Sequence, residues 1–135
     1  MISPTADSIR IALHLIAVAV WVGGQIVLAG IVPTMRRNAP DATKVLAQAF
    51  AKVAWPAFIL AIATGMWNLA IQDPADQGGE YAATFGVKMV FVVLAGVSTA
   101  VHSNGKTKIA LALGGAVGLL SSLVAFYLGV TLGHQ

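Results

Sequence analysis

The chain has 135 residues, of which 58% are hydrophobic and 10% are charged; soluble globular domains are about one quarter charged, so the composition indicates an integral membrane protein. The sequence has no cysteine, which excludes disulfides, thiolate metal sites, iron–sulfur clusters and cysteine nucleophiles. The formal net charge of +3 comes from basic residues beside apolar segments, as is typical of orientation in a membrane, and gives no support to nucleic-acid binding.

Four apolar segments are long enough to be membrane-spanning helices, because about 20 apolar residues cross about 30 Å of hydrocarbon. The first is predicted to end at Pro33 and the basic pair Arg36 and Arg37. After it, residues 41–52 are predicted to form an amphipathic segment at the membrane surface. The predicted spans are residues 8–32, 54–71, 84–101 and 109–132.

Short connections make neighbouring helices antiparallel, so the prediction is an all-α, four-helix up-and-down bundle in one domain, residues 1–135. Loop charges predict its orientation: both termini outside, in a multi-pass protein of the inner (plasma) membrane. The predicted inner side carries Arg36, Arg37, Lys44, Lys52, Lys106 and Lys108, and the predicted outer side carries Asp7, Arg10, Asp73, Asp76 and Glu80. Small residues four apart, Ala57, Ala61 and Gly65, and Gly114, Gly118 and Ser122, are predicted to be close-packing positions.

The first predicted span carries one polar stripe. Helical spacing places His14, Val18, Trp21, Gln25 and Leu28 along it. A side chain as polar as histidine costs about 2 kcal/mol or more in hydrocarbon, so within a spanning helix it faces protein, water or a ligand. His14 is therefore a functional candidate, and the alternative is a buried histidine that bonds to a neighbouring helix.

Several polar or sulfur-containing side chains are predicted near the outer end of the bundle. Imidazole and thioether groups together suit copper, above all Cu(I), which prefers soft ligands. The alternatives are that the methionines fill an apolar core and that the last histidine belongs to a solvated chain end. The candidate metal ligands are His14, Met66, Met89 and His134, and Lys88 lies at a similar predicted depth.

Two further polar residues lie on the third predicted span or directly after it. Lys88 either extends its ammonium group towards the outer surface or neutralises a bound anion, such as a haem propionate, or exchanges protons. His102 lies roughly 21 Å further along the same helix, too far for one small ligand to contact both. It either flanks a second site or is solvated at the membrane boundary.

The segment from His14 to Gly24 resembles the His-x6-Trp-x-Gly-Gly signature of the copper resistance D (CopD) family of membrane domains. The segment from Tyr81 to Lys88 resembles that family's aromatic residue seven positions before a membrane lysine. The same features are also similar to HemJ-type protoporphyrinogen oxidases, which bind haem b. That similarity implies that His14 is the haem ligand or catalytic histidine and Lys88 the essential lysine. The candidate cofactor-binding residues are His14, Trp21, Lys88 and His102.

Three functions follow as hypotheses. The first is copper handling, by binding or transport, at the outer face of the membrane, centred on His14. The second is a haem b protein for electron transfer or porphyrinogen oxidation, with His14 on the iron. The third is a ligand-free accessory subunit whose glycine-rich fourth helix packs against a larger membrane complex. The expected partners are the lipid bilayer, a copper ion or haem, and a second copy or a larger complex.

Overall fold

The computed structural model describes residues 4–134, and its regular elements in that range are all helical. Both chain ends are predicted to lie on the outer side of the membrane. Their terminal residues, 1–3 and 135, are not among the residues described. The elements are α1 (Ala6–Val18), a π-helical segment (Ala19–Gly23), α2 (Gly24–Asn38), α3 (Pro40–Ile71), α4 (Gly79–Asn104) and α5 (Lys108–Leu132).

Four helices are long and apolar enough to cross a membrane. The first is the continuous helix Ala6–Asn38, which joins α1, the π-helical segment and α2, and the others are α3, α4 and α5. This confirms the predicted number of spanning helices and a multi-pass membrane protein. The orientation of the helices in the membrane follows from loop charges and stays a prediction.

The helices form two compact units, Met1–Ile71 and Gln72–Gln135. In the first unit, the helix Ala6–Asn38 packs against α3, and in the second, α4 packs along α5. Each unit is thus a pair of helices joined by a short connection. A single four-helix domain requires the two pairs to pack together, and that part of the prediction is untested.

The first helix is longer than predicted because Pro33 does not end it. The helix continues to Asn38 and stops at Ala39, whose φ of −151° and ψ of 69° are not helical. Ala39 precedes Pro40, and a proline ring disfavours the helical conformation in the residue before it. The end of this helix is therefore set by the second proline and not by the first.

The segments 41–52 and 54–71, predicted as separate, lie in one helix, α3. Proline is favoured at the first helical position, where its missing N–H is not needed, so Pro40 begins α3. Pro56 lies inside α3, as prolines often do in membrane helices. The residues predicted to lie on the membrane surface are thus a direct extension of the second span.

Aromatic packing joins the two helices of the first unit. Trp21, Val22 and Ala54 are all buried and form a small core. The ring centroid of Trp21 lies 4.3 Å from that of Phe58 and 5.5 Å from that of Trp55. A π-helical turn holds one residue more than an α-helical turn, so the consecutive residues Trp21 and Val22 both pack on this side.

Gly24 is required by a close contact with Phe50 of α3. A Cβ atom on Gly24 would overlap the Cε2 and Cζ atoms of the Phe50 ring. Gly24→Ala is expected to lower the free energy of unfolding by about 1 kcal/mol, because the ring must move. Thermal unfolding in mild detergent, followed by circular dichroism, measures the change.

Gly23→Ala is the matched control, because no atom lies within 4 Å of a Cβ at Gly23. Alanine favours a helix over glycine by up to about 1 kcal/mol, so this variant is expected to match or exceed the wild-type melting temperature. Equal melting temperatures for the two variants would contradict the proposed contact between Gly24 and Phe50.

Small residues of α5 pack against the backbone of α4 in the second unit. Gly114, Gly118 and Ser122 are all buried. A Cβ on Gly114 would lie 2.8 Å from the backbone nitrogen of His102 and 2.8 Å from the carbonyl oxygen of Ser98. The prediction of close packing is confirmed for Gly114 and Gly118; for Ser122, Ala57, Ala61 and Gly65 it stays a prediction.

Candidate functional site

Two polar pairs join α1 to α3 side by side. The Nε atom of Arg10 donates to Oδ1 of Asn68 at 2.5 Å, and Nδ1 of His14 lies 2.9 Å from Oγ1 of Thr64. Residues four apart share one helix face, and the two helices run in opposite directions. The two pairs therefore follow each other along the interface between the helices.

The hydrogen bonds of Thr64 favour one arrangement of the proton on the His14 ring. Thr64 is 3% exposed, and its hydroxyl donates to the carbonyl oxygen of Leu60 at 2.7 Å. A hydroxyl has one hydrogen, so towards His14 it acts as the acceptor and Nδ1 of His14 is the donor. The neutral imidazole then has its lone pair on Nε2, the atom with which a histidine binds a metal when Nδ1 donates to the protein.

Gly65 also lies beside the His14 ring. A Cβ on Gly65 would lie 3.5 Å from Cε1 of His14, an ordinary van der Waals separation. The half-buried imidazole thus contacts Thr64 and Gly65 of the neighbouring helix. A structural histidine would form the same bond to Thr64, so the feature that bears on function is the position of the lone pair.

Arg10 is a member of the site that sequence reasoning missed. Its side chain is 4% exposed, and its Nη1 atom lies 2.8 Å from Oδ1 of Asp7. The guanidinium lies 5.9 Å from the ring centroid of Trp67. Within residues 4–134, Nη1 of Arg10 is the buried side-chain polar atom without an aligned hydrogen bond. From the loop charges, Arg10 is predicted only to be a cation at the outer surface.

The other predicted site residues of the first unit lie apart from the His14 ring. Met66 is 52% exposed and follows Thr64 by two residues, which is about 200° around a helix. It therefore does not face His14 as Thr64 does. Trp21 lies about two helical turns along from His14 and belongs to the aromatic core with Trp55.

Lys88 contacts the neighbouring helix of the second unit. A Cβ on Gly129 would lie 3.1 Å from Nζ of Lys88, so the glycine leaves room for the ammonium group. Gly129 lies in the last turns of α5, where carbonyl groups give a helix its partial negative charge. This contact gives Lys88 a structural role in its own unit. Met89, beside it in sequence, is half-buried.

His102 binds across the same helix pair, near its opposite end. Its Nδ1 atom donates to the carbonyl oxygen of Leu111 at 2.5 Å, and its ring lies against Gly115. His134 is exposed in the turn after α5. Lys88 and His102 therefore form separate contacts, as their predicted separation along α4 requires.

No group of three or more histidine, aspartate or glutamate side chains that could hold a metal ion occurs between residues 4 and 134. The predicted copper ligands also include methionines, but Met66 of α3 does not face His14. The other predicted copper ligands, Met89 and His134, belong to the second unit. A haem needs less from the protein, because the porphyrin itself supplies four nitrogen ligands.

Comparison with protein-family models gave no match, and neither did comparison with curated proteins or with solved structures. The similarity to CopD-like and HemJ-type proteins therefore rests on the motif residues. Their packing gives part of the motif a structural explanation: Trp21 lies in the aromatic core and Gly24 admits Phe50. For His14, the histidine of the motif, packing alone does not explain why an ionisable side chain is used.

Proposed function

We propose that the protein binds haem b in the membrane, that Nε2 of His14 would hold the iron, and that the bound haem would serve electron transfer or porphyrinogen oxidation. The observation that carries this proposal is the bond from Nδ1 of His14 to the Thr64 hydroxyl, which itself donates to Leu60. While Thr64 donates to Leu60, Nδ1 of the neutral imidazole is the donor and Nε2 carries the lone pair. Haem iron is commonly held by one such histidine.

The donor groups fit haem better than a bare copper ion. Cu(I) prefers two or more soft ligands, and the methionine of α3 predicted to supply one, Met66, is on another face of the helix. A single imidazole is sufficient for haem iron. Copper bound by His14 is the alternative that the same experiment tests.

The residues around His14 have defined roles in this proposal. Thr64 holds the imidazole in one orientation and one tautomer, and a hydrogen bond to Nδ1–H makes the ring a stronger ligand. Gly65 packs beside the ring, since a Cβ there would lie 3.5 Å from Cε1. When bound, haem supplies one-electron chemistry whose potential depends on the axial ligand and its hydrogen bonds.

Purification from cells supplied with both haem precursor and copper tests the proposal. We expect a Soret band, the pyridine haemochrome spectrum of haem b, and close to stoichiometric iron in the same sample. Stoichiometric copper without a haem spectrum would contradict haem and support the copper hypothesis. A colourless, metal-free protein that purifies with partner chains would support an accessory subunit.

Thr64→Val is expected to weaken haem binding by about 10- to 100-fold, the usual effect of losing a hydrogen bond to a metal-ligating histidine. Valine keeps the shape of threonine but cannot accept a proton from Nδ1. Titration of the apoprotein with haem, followed by the Soret band, measures the affinity. Thr64→Ser keeps the hydroxyl and is expected to stay within a few-fold of wild type; a serine variant as weak as the valine variant would refute this role.

A further inference from the structure

Arg10 is a buried cation whose hydrogen-bond donors are incompletely used. Its Nε atom donates to Asn68, whereas Nη1 has an ionic contact with Asp7 but no aligned hydrogen bond. A guanidinium carries five N–H donors, and burying a charge is unfavourable unless it is paired and hydrogen-bonded. Arg10, at 4% exposure, therefore has a buried donor that a better-aligned acceptor would satisfy.

Asp7 is a partner that a stronger acceptor can replace. Its side chain is 66% exposed, and ion pairs with an exposed partner contribute only about 0–1 kcal/mol. Asn68 and Trp67 contact the guanidinium from α3 and hold it independently of Asp7. The planar guanidinium fits a carboxylate with two parallel hydrogen bonds, so an incoming carboxylate can displace Asp7 without moving Arg10.

The position of Arg10 relative to His14 indicates the class of ligand. The two residues are four apart on α1, about 6 Å along the helix axis, and both bond to α3. Haem b carries two propionate carboxylates at one edge of the ring, away from the iron. We propose that Arg10 binds a porphyrin propionate and that Asp7 occupies this position when no porphyrin is present. The identity of the ligand rests on the proposed function.

Iron-free protoporphyrin IX and its dimethyl ester test the proposal, because they differ only in the carboxylates and neither can bond to His14 through iron. Both are titrated into detergent-solubilised apoprotein and followed by porphyrin fluorescence. The measured quantity is the ratio of the affinity for the free acid to the affinity for the ester. This ratio is expected to be about tenfold higher in the wild type than in Arg10→Gln, because a hydrogen bond to a charged group usually contributes a factor of that size. Comparing variants in one detergent cancels the partitioning of each porphyrin into micelles.

Arg36→Gln is the matched control, since Arg36 is an exposed arginine in the last turn of α2. It is expected to keep the wild-type preference for the acid. An unchanged preference in Arg10→Gln, or an equal loss in Arg36→Gln, would overturn the proposal.

Asp7→Asn keeps the test decisive if Arg10→Gln does not fold. Removing the competing carboxylate is expected to tighten binding of the free acid by about two- to tenfold and to leave the ester unaffected. Equal effects on acid and ester, or none, would contradict displacement of Asp7.

His14→Ala separates this proposal from the proposed function. Iron-free porphyrin needs no imidazole, so His14→Ala is expected to keep the preference for the acid while losing haem binding. If the wild type shows the acid preference without binding haem iron, the axial role of His14 is wrong and the Arg10 site stands. If it binds haem without an acid preference, the Arg10 site is wrong and the axial role stands.

Discussion

His14→Ala is expected to abolish the haem b spectrum and to lower haem affinity by more than about 100-fold. Losing only the hydrogen-bond partner of a ligating histidine costs about 10- to 100-fold, and this substitution removes the ligand itself. Haem titration of the apoprotein and the pyridine haemochrome of the purified variant measure the effect. Circular dichroism checks that the variant is still helical.

His102→Ala and His134→Ala are the comparison variants, because these are the other histidines of the chain. In the structure, His102 bonds to the carbonyl oxygen of Leu111 and His134 follows α5. Both variants are expected to keep the haem spectrum. A spectrum that survives in His14→Ala and disappears in His102→Ala would show that the iron ligand had been assigned to the wrong histidine.

Gly114→Ala is expected to have the largest effect on stability, a loss of about 3 kcal/mol in the free energy of unfolding. The added Cβ would lie 2.8 Å from backbone atoms of both Ser98 and His102. Backbone atoms of a helix cannot turn aside as the tip of a side chain can, so α4 and α5 must separate. This places the effect at the upper end of the range for overpacking, about 1–3 kcal/mol.

Gly86→Ala provides the control within the same helix pair. No atom lies within 4 Å of a Cβ at Gly86 of α4, and alanine gains up to about 1 kcal/mol of helix propensity there. Thermal unfolding in mild detergent should show a lower midpoint for Gly114→Ala and an unchanged or higher one for Gly86→Ala. Similar midpoints would mean that α5 does not pack on α4 through Gly114.

The helices of the fold were predictable from composition and length. In a chain with few charges, apolar segments of this length form membrane-spanning helices, because a helix satisfies all of its backbone hydrogen bonds internally. The ends of the helices were not. The sequence predicts a helix end at Pro33, whereas the helix stops before Pro40, where Ala39 takes up a non-helical conformation. In a membrane helix, proline is tolerated often enough that its position alone does not locate an end.

The site was predicted only in part. His14 was found because an ionisable side chain in an apolar segment is rare. Its partner Thr64 is common in such helices and gave no signal by itself. A joint signal did exist: Arg10 and His14 are four apart on one helix, and Thr64 and Asn68 are four apart on the next. Two matching polar spacings on antiparallel neighbours predict paired side chains.

The copper ligand set shows the limit of reasoning from depth in the membrane. Met66 was selected because its predicted depth matched that of His14. Depth does not fix the direction of a side chain, and the half-exposed Met66 follows the buried Thr64 by about 200° around α3. Two residues at one level contact the same ligand only if they also share a face.

Chemical rescue of His14→Gly with free imidazole tests the axial role of His14 most directly. Glycine leaves the space of the side chain open, so imidazole can replace the missing ring. The apoprotein variant is titrated with haem b in the absence and presence of imidazole, beside the wild type and Gly23→Ala. We expect little haem binding by His14→Gly alone and recovery of a wild-type spectrum with imidazole. Haem binding by His14→Gly that equals the wild type without imidazole would contradict His14 as the iron ligand.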